Sequence, residues 1–194
     1  MTSGRRPSLA GALLVLWAAC LSAHAAVPVD FTRLMGLLAA RPSARASFQA
    51  RTYVKGLTRP LVSAGVLAYR APDHLEQHTL TPAPSELILQ GDRLTMRRGS
   101  QVRRLDVRAY PQIAVYVTAL RETLSGNALG LEKHFDIEFT GTLARWRLTL
   151  TPKARGAPLS RIALRGSQAD IRAIEIRARS GERTVMRIGP PPPS

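Results

Sequence analysis

Cysteine is almost absent from this chain: Cys20 is the only one among 194 residues. That excludes a disulfide framework and a cysteine metal cluster. Aromatic residues are sparse at 5%, and only Lys55, Lys133 and Lys153 among the 28 basic residues are lysines. Acidic residues number 13, which leaves a net charge of +15. So basic a balance raises nucleic acid, anionic lipid and acidic partners together. An arginine-rich codon bias would give the same number without any selection for binding. Signatures of chemistry are missing too. There is no Gly-x-Ser-x-Gly elbow and no phosphate-binding loop, because neither Gly99-Ser100 nor Gly166-Ser167 has the required context. Nor is there an apolar run of the roughly 20 residues that a membrane-spanning helix needs.

What the chain does have begins with an export signal. Arg5 and Arg6 precede an apolar stretch at residues 9–21 and the small-x-small sequence Ala23-His24-Ala25. This is the layout of a Sec-type signal peptide, residues 1–25, cleaved after Ala25. Trp17-Ala18-Ala19-Cys20 resembles a lipobox only loosely, since Trp fits its first position poorly. Export argues against nucleic acid as a partner. Removal of the segment also takes Cys20, so the remaining chain has no thiolate nucleophile. Residues 26–189 are then of the size of one domain with a core. Residues 190–194, four prolines and a serine, cannot pair in a sheet and read as a disordered tail.

Two periodicities organise the rest. Phe31, Leu34, Leu37 and Leu38 recur at helical spacing after Asp30, a candidate cap, and Pro42 closes the segment. Alternating runs follow at 46–53, 61–69, 74–79 and 85–90, then 93–98 and 101–107, the last three separated by Gly91-Asp92 and Gly99-Ser100. Two-residue glycine turns of this kind suit tight antiparallel hairpins. Pro111 opens a second helix, ending near Ser125-Gly126, in which Ile113, Tyr116, Val117, Leu120 and Leu124 share a face. A short helical piece at 128–134 leads into five more runs, at 135–140, 144–151, 159–165, 171–178 and 183–188. In the second of these Trp146, Leu148 and Leu150 point one way and Arg145, Arg147 and Thr149 the other. About eleven strands with one greasy face predict a long antiparallel sheet that curls around its apolar side. The amphipathic helices are the natural filling of the concavity.

Polar candidates for chemistry are few. His74, Glu76 and His78 alternate on one strand face, but four residues of strand span roughly 13 Å, too far for two histidines to share a zinc ion. They read as a solvated face. His134 near Asp136 has the form of a base and its orienter, without a nucleophile to serve. No catalytic residue, metal or cofactor is therefore expected. Basic clusters at Arg97-Arg98, at Arg103-Arg104 with Arg108, and at Arg172, Arg177 and Arg179 would steer the protein to an anionic membrane or an acidic rim.

The order of these motifs resembles the LolA family of periplasmic lipoprotein carriers. The resemblance rests on a helix, then Ala46-Ser47-Phe48-Gln49, then Gly65-x-Leu67-x-Tyr69-x-x-Pro72, then a meander broken by helices, and Leu148-Thr149-Leu150-Thr151-Pro152-Lys153 after it. The sequences Leu61–Asp73 and Gly91-Asp92-Arg93-Leu94 are similar to its LolA-related branch in particular. The resemblance spans nearly all of residues 30–188. It implies an α+β fold, an unclosed, strongly curved antiparallel sheet whose concave apolar face is covered by helices acting as a lid. It implies a monomeric periplasmic carrier without cofactor, whose partners are acylated lipoprotein or lipid cargo, an inner-membrane donor and an outer-membrane acceptor.

For the cavity lining this points to Leu67, Tyr69, Leu87, Leu89, Met96, Tyr116, Leu120, Trp146, Leu148 and Leu150. The inner face of the lid would be Ile113, Tyr116, Leu120 and Leu124. The residues alone leave open whether these side chains line a space or fill a core. Two departures from the family stand out. Ala71 occupies the place before Pro72 where the carriers have a lid-holding arginine, and Arg70 stands one residue earlier, where a strand side chain faces the other way. Aromatic residues are also fewer, which implies a more aliphatic pocket. Alternatives are a carrier for a specialised lipid or aryl-polyene export system, an interaction module that binds no lipid, and an exported hydrolase.

Overall fold

The computed structural model describes residues 29–191. The expected signal peptide at 1–25 lies outside the described residues, as do residues 192–194 of the tail. Helix α1 (Val29–Ala39) buries Phe31, Leu34, Met35 and Leu38, the 3-1-3 spacing of a helix with one apolar stripe. It begins one residue before Asp30, so Asp30 sits in its first turn rather than capping it. A carboxylate there still meets the positive end of the helix dipole.

Six strands follow: β1 (Ser43–Tyr53), β2 (Leu61–Arg70), β3 (His74–Thr81), β4 (Ser85–Gln90), β5 (Arg93–Arg98) and β6 (Gln101–Asp106). Gly91 and Gly99 take left-handed φ values of 58° and 55° in the two-residue β4–β5 and β5–β6 hairpins. The sixth strand stops short of Val107, contrary to the alternation. Val107 instead opens a 3-10 turn (Val107–Ala109), held because the Asp106 carboxylate accepts from the Arg108 backbone N–H and Val107 N–H donates to the Asp92 carbonyl. Helices α2 (Pro111–Leu124) and α3 (Ala128–His134) come next, then β7 (Phe135–Thr142), β8 (Arg145–Pro152), β9 (Leu159–Ser167), β10 (Asp170–Ala178) and β11 (Arg183–Gly189).

All eleven strands form one antiparallel sheet in the order β6-β5-β4-β3-β2-β1-β11-β10-β9-β8-β7. The first and last strands therefore meet in the middle, Phe48 opposite Ile188 and Ala50 opposite Met186. The outer strands β6 and β7 do not pair, and the sheet stays unclosed. The segment between them, the 3-10 turn with α2 and α3, has to cross the concave side from one edge to the other. Curvature is marked by register shifts at Ala64/Gly65 in β2 and at Ile171/Ala173 and Arg177/Ala178 in β10. Gly65 has no alternative there, because a Cβ on it would overlap the His78 carbonyl.

The main core lies between helices and the β1 and β7–β11 half of the sheet. Leu34, Leu131, Leu148, Leu150, Ile162 and Leu164 are wholly buried in it with Phe31, Phe48, Phe135 and Trp146. Helix α2 packs on α1, α3, β9 and the 3-10 turn, with Ala119 turned into this core. Gly126, at φ 67°, ends α2 where a Cβ would run into the backbone of α1. A second, smaller cluster of Leu89, Leu94, Val107 and Val117 joins β4 and β5 to the other side of α2.

The candidate ligand-binding hollow

Between the two clusters lies a part-enclosed hollow of about 880 Å³, within the range of small-molecule sites. The sheet's register builds its wall. Ala44, Tyr69, Leu75, Leu89 and Leu94 follow one another across β1 to β5, and Ala46, Leu67, Gln77, Leu87 and Met96 form the next row. Leu67, Tyr69, Leu87, Leu89 and Met96, all expected in the lining, are in it. From the opposite side α2 contributes Ile113, Tyr116, Leu120 and Leu124, the four residues expected on the inner face of the lid. Ile174, Ile176, Met186 and Ile188 complete the wall from β10 and β11. Several of the β3–β5 residues and much of α2 are only half-buried, as expected of side chains with space in front of them.

Three expected lining residues belong elsewhere. Trp146, Leu148 and Leu150 point to the concave face as the alternation requires, but α1 and α3 cover that part of the sheet and bury them at 2%, 0% and 0% exposure. Trp146 stacks where Gly166 leaves room for its ring, and its indole Nε1 donates to the Gln168 carbonyl at 2.9 Å. These residues belong to a filled core and are not among those lining this hollow. Arg70, which the sequence offers as a possible lid or partner contact, is exposed, one residue past Tyr69, and is not among the residues lining the hollow. Sequence reasoning missed the ties that do reach the helices. Arg41, after α1, bonds Asp170 in the β9–β10 turn at 2.7 Å, and Arg121 of α2 lies 3.5 Å from Asp92 in the β4–β5 turn.

Polar residues border the hollow at Glu76 and Gln77 of β3, Gln112 of α2, Glu182 and Thr184, while Arg45, Arg172 and the Arg41–Asp170 pair gather at one end with Pro190 and Pro191. Burial raises the Tyr116 phenol to about 12 and also raises that of Tyr69, with a smaller push from the Asp73 charge. Both hydroxyls therefore stay protonated at neutral pH.

Among the described residues no set suited to catalysis comes together. His74 and His78 flank Glu76, each bonding one of its carboxylate oxygens, and His78 also meets Glu86, which pairs with Arg97. This row is a self-satisfied ladder on the convex face. Among the described residues no cluster of three potential metal ligands occurs. His134 gives its backbone carbonyl to Lys153 N–H, and Asp136 faces Lys153 Nζ at 3.9 Å. Among the described residues no helix is long and apolar enough to cross a membrane. The basic clusters are partly neutralised, Arg97 by Glu86, Arg108 by Asp106 and Arg177 by Glu175.

A family model described as outer membrane lipoprotein carrier protein LolA-like matches residues 22–189. The chain belongs to this LolA-like family. Among solved structures it is similar to a LolA superfamily protein of Nitrosomonas europaea, at 13% identity and a TM-score of 0.46 over 83% of this chain and 92% of that one. A DUF1329 family protein of Desulfovibrio piger gives 12% and 0.47 over 82% and 89%. The Mycobacterium tuberculosis lipoprotein LppX gives 12% and 0.41 over 80% and 93%. No curated protein matches. The unclosed eleven-stranded sheet with three helices is the LolA-like half barrel. In this LolA-like chain the apolar part of the pocket wall is aliphatic apart from two tyrosines.

Proposed function

We propose that this protein is a periplasmic carrier that shields the acyl chains of lipoproteins or related lipids in its hollow during transfer from the inner to the outer membrane. The observation that carries the reading is the apolar hollow itself, enclosed by α2, β2–β5 and a wall from β10 and β11, while Leu148, Leu150, Ile162 and Leu164 farther along the sheet are packed tight. An exposed acyl chain of some 16 carbons costs on the order of 10 kcal/mol in water, at about 0.8 kcal/mol per methylene. A hollow lined by Leu67, Leu87, Leu89, Met96 and Leu120 removes most of that cost without any chemistry.

The partners that follow are the acylated cargo, a donor in the inner membrane and an acceptor in the outer membrane, with the carrier acting as a monomer. Affinity rising from donor to acceptor suffices to drive transfer. On the convex side Arg147 and Arg165 stand directly opposite each other, exposed, with Arg161 and Arg187 nearby on the same face. This surface would steer the carrier to anionic membranes, an effect that salt reduces.

The test is native mass spectrometry with lipid extraction on protein purified from its own periplasm. Acylated species that co-purify and dissociate on activation support the reading and identify the cargo. An empty protein that also takes up no fluorescent fatty acid overturns it and leaves an interaction module that binds no lipid.

A further inference from the structure

Among the described residues, Tyr69 carries the one fully buried side-chain polar atom without a hydrogen-bond partner. Tyr69 is 6% exposed, lines the hollow from β2, and its hydroxyl is buried with no hydrogen-bond partner. Leaving such a group unpaired costs about 1–3 kcal/mol, and buried hydroxyls in native proteins are nearly always satisfied. The residues paired with it across the sheet offer nothing to satisfy it. Its cross-strand neighbours are Ala44 and Leu75, and the row continues as Leu89 and Leu94. Replacement by phenylalanine would fill the same volume without this cost. The hydroxyl is explained if the acceptor arrives with the ligand.

Two features keep the hydroxyl a donor. Burial keeps it protonated, so it donates. Asp73, on the turn that follows β2, adds a smaller upward push on the phenol and so helps keep it in its donating form. We propose that Tyr69 donates a hydrogen bond to a carbonyl of the bound ligand, the ester or amide that joins an acyl chain to its headgroup. The hollow then selects acyl esters and amides over bare hydrocarbons. Because Tyr69 lies at the end of β2 beside the α1–β1 turn, the carbonyl sits near the end that also holds Arg41, Arg45 and Arg172. The headgroup leaves there, and the acyl chain runs inward past Leu67, Leu87 and Met96.

This assignment rests on the carrier reading, and the experiment separates the two. Two pyrene probes of equal chain length, a methyl ester and an alkane, are titrated into wild-type protein and into Tyr69→Phe at neutral pH. The wild type should bind the ester more tightly. Tyr69→Phe should weaken the ester about fivefold, the equivalent of one neutral hydrogen bond, and leave the alkane unchanged. The apo variant should melt no lower than wild type, because it loses only an unpaired group. Equal losses on ester and alkane, or no loss on the ester, overturn the hydrogen bond while the carrier reading stands. Failure of the wild type to bind either probe overturns the carrier reading and this inference with it.

Discussion

The two halves of the sheet obey the same alternation and end in different states. From β1 outward through β11, the row Ala50, Met186, Ile174, Leu164 and Leu148 is almost wholly buried, with Met186 and Ile174 at the edge of the hollow and the rest under α1 and α3. In the other direction the row Ala44, Tyr69, Leu75, Leu89 and Leu94 has comparable side chains, yet it borders open volume. The difference lies in what covers each half. Phe31, Leu34, Met35 and Leu38 of α1 fill the first half. Over the second, α2 touches β4 and β5 through Val117 and presents Tyr116 and Leu120 to the open space. Apolar patterning sets which face is dry, and the placement of a helix sets whether the dry face is filled.

The sharpest way to break this contrast is to remove the same volume from each half. Leu164→Ala, in the filled half, should cost about 3–5 kcal/mol in chemical denaturation, the usual result of a cavity in a rigid core. Leu87→Ala, on the hollow, should cost about 1 kcal/mol or less, because its side chain already borders free space. Equal losses would mean that the hollow closes in solution.

A glycine in each half offers a second comparison. Gly166→Ala drives a methyl group into the Trp146 ring and the Asp170 carbonyl, and should destabilise by about 1–3 kcal/mol with a change in tryptophan fluorescence. Gly65→Ala collides with the backbone of β3. It should reduce acyl-probe binding as well as the melting temperature, because it re-aims the strands that form the hollow.

Filling should separate the halves in the opposite sense. Met96→Trp adds volume where space exists, so stability should change by about 1 kcal/mol or less while probe binding is lost. Loss of stability with binding retained would place the ligand elsewhere.

The smallest effect concerns acid. Glu76 in the hollow half is held below its ordinary pKa by hydrogen bonds from His78 and His74. In the filled half Glu175 is held down by Arg183 and, less strongly, by Arg177. A depressed carboxyl contributes stability that is present above its unfolded pKa of about 4.5 and is lost as pH falls through the lower folded value. Glu76→Gln and Glu175→Gln should each flatten the acid limb of a stability–pH profile, by under about 1 kcal/mol because both pairs face solvent.

Much of the fold is legible in the amino-acid sequence. Period-two alternation, the Gly91 and Gly99 turns and Pro111 at the start of α2 set element order nearly residue by residue, because each depends on local chemistry. The face that α2 turns to the hollow is legible for the same reason. What is hidden depends on distance along the chain. Nothing in the Trp146–Leu150 run says that α1 and α3, which precede it in sequence, cover it, so a filled core and a fillable one look alike. Val107 reads as the end of a strand until the Asp92 carbonyl takes its N–H. The unpartnered Tyr69 hydroxyl is likewise invisible in sequence, since its lack of an acceptor is a property of several neighbouring strands.

The most direct test of the central claim is photo-crosslinking with a diazirine-bearing fatty acyl ester, followed by peptide mapping. Adducts confined to β2–β5 and α2, at Leu67, Leu87, Met96, Tyr116 or Leu120, are the predicted result. Adducts on β8 and β9, or none that excess unlabelled lipid competes away, would contradict the account.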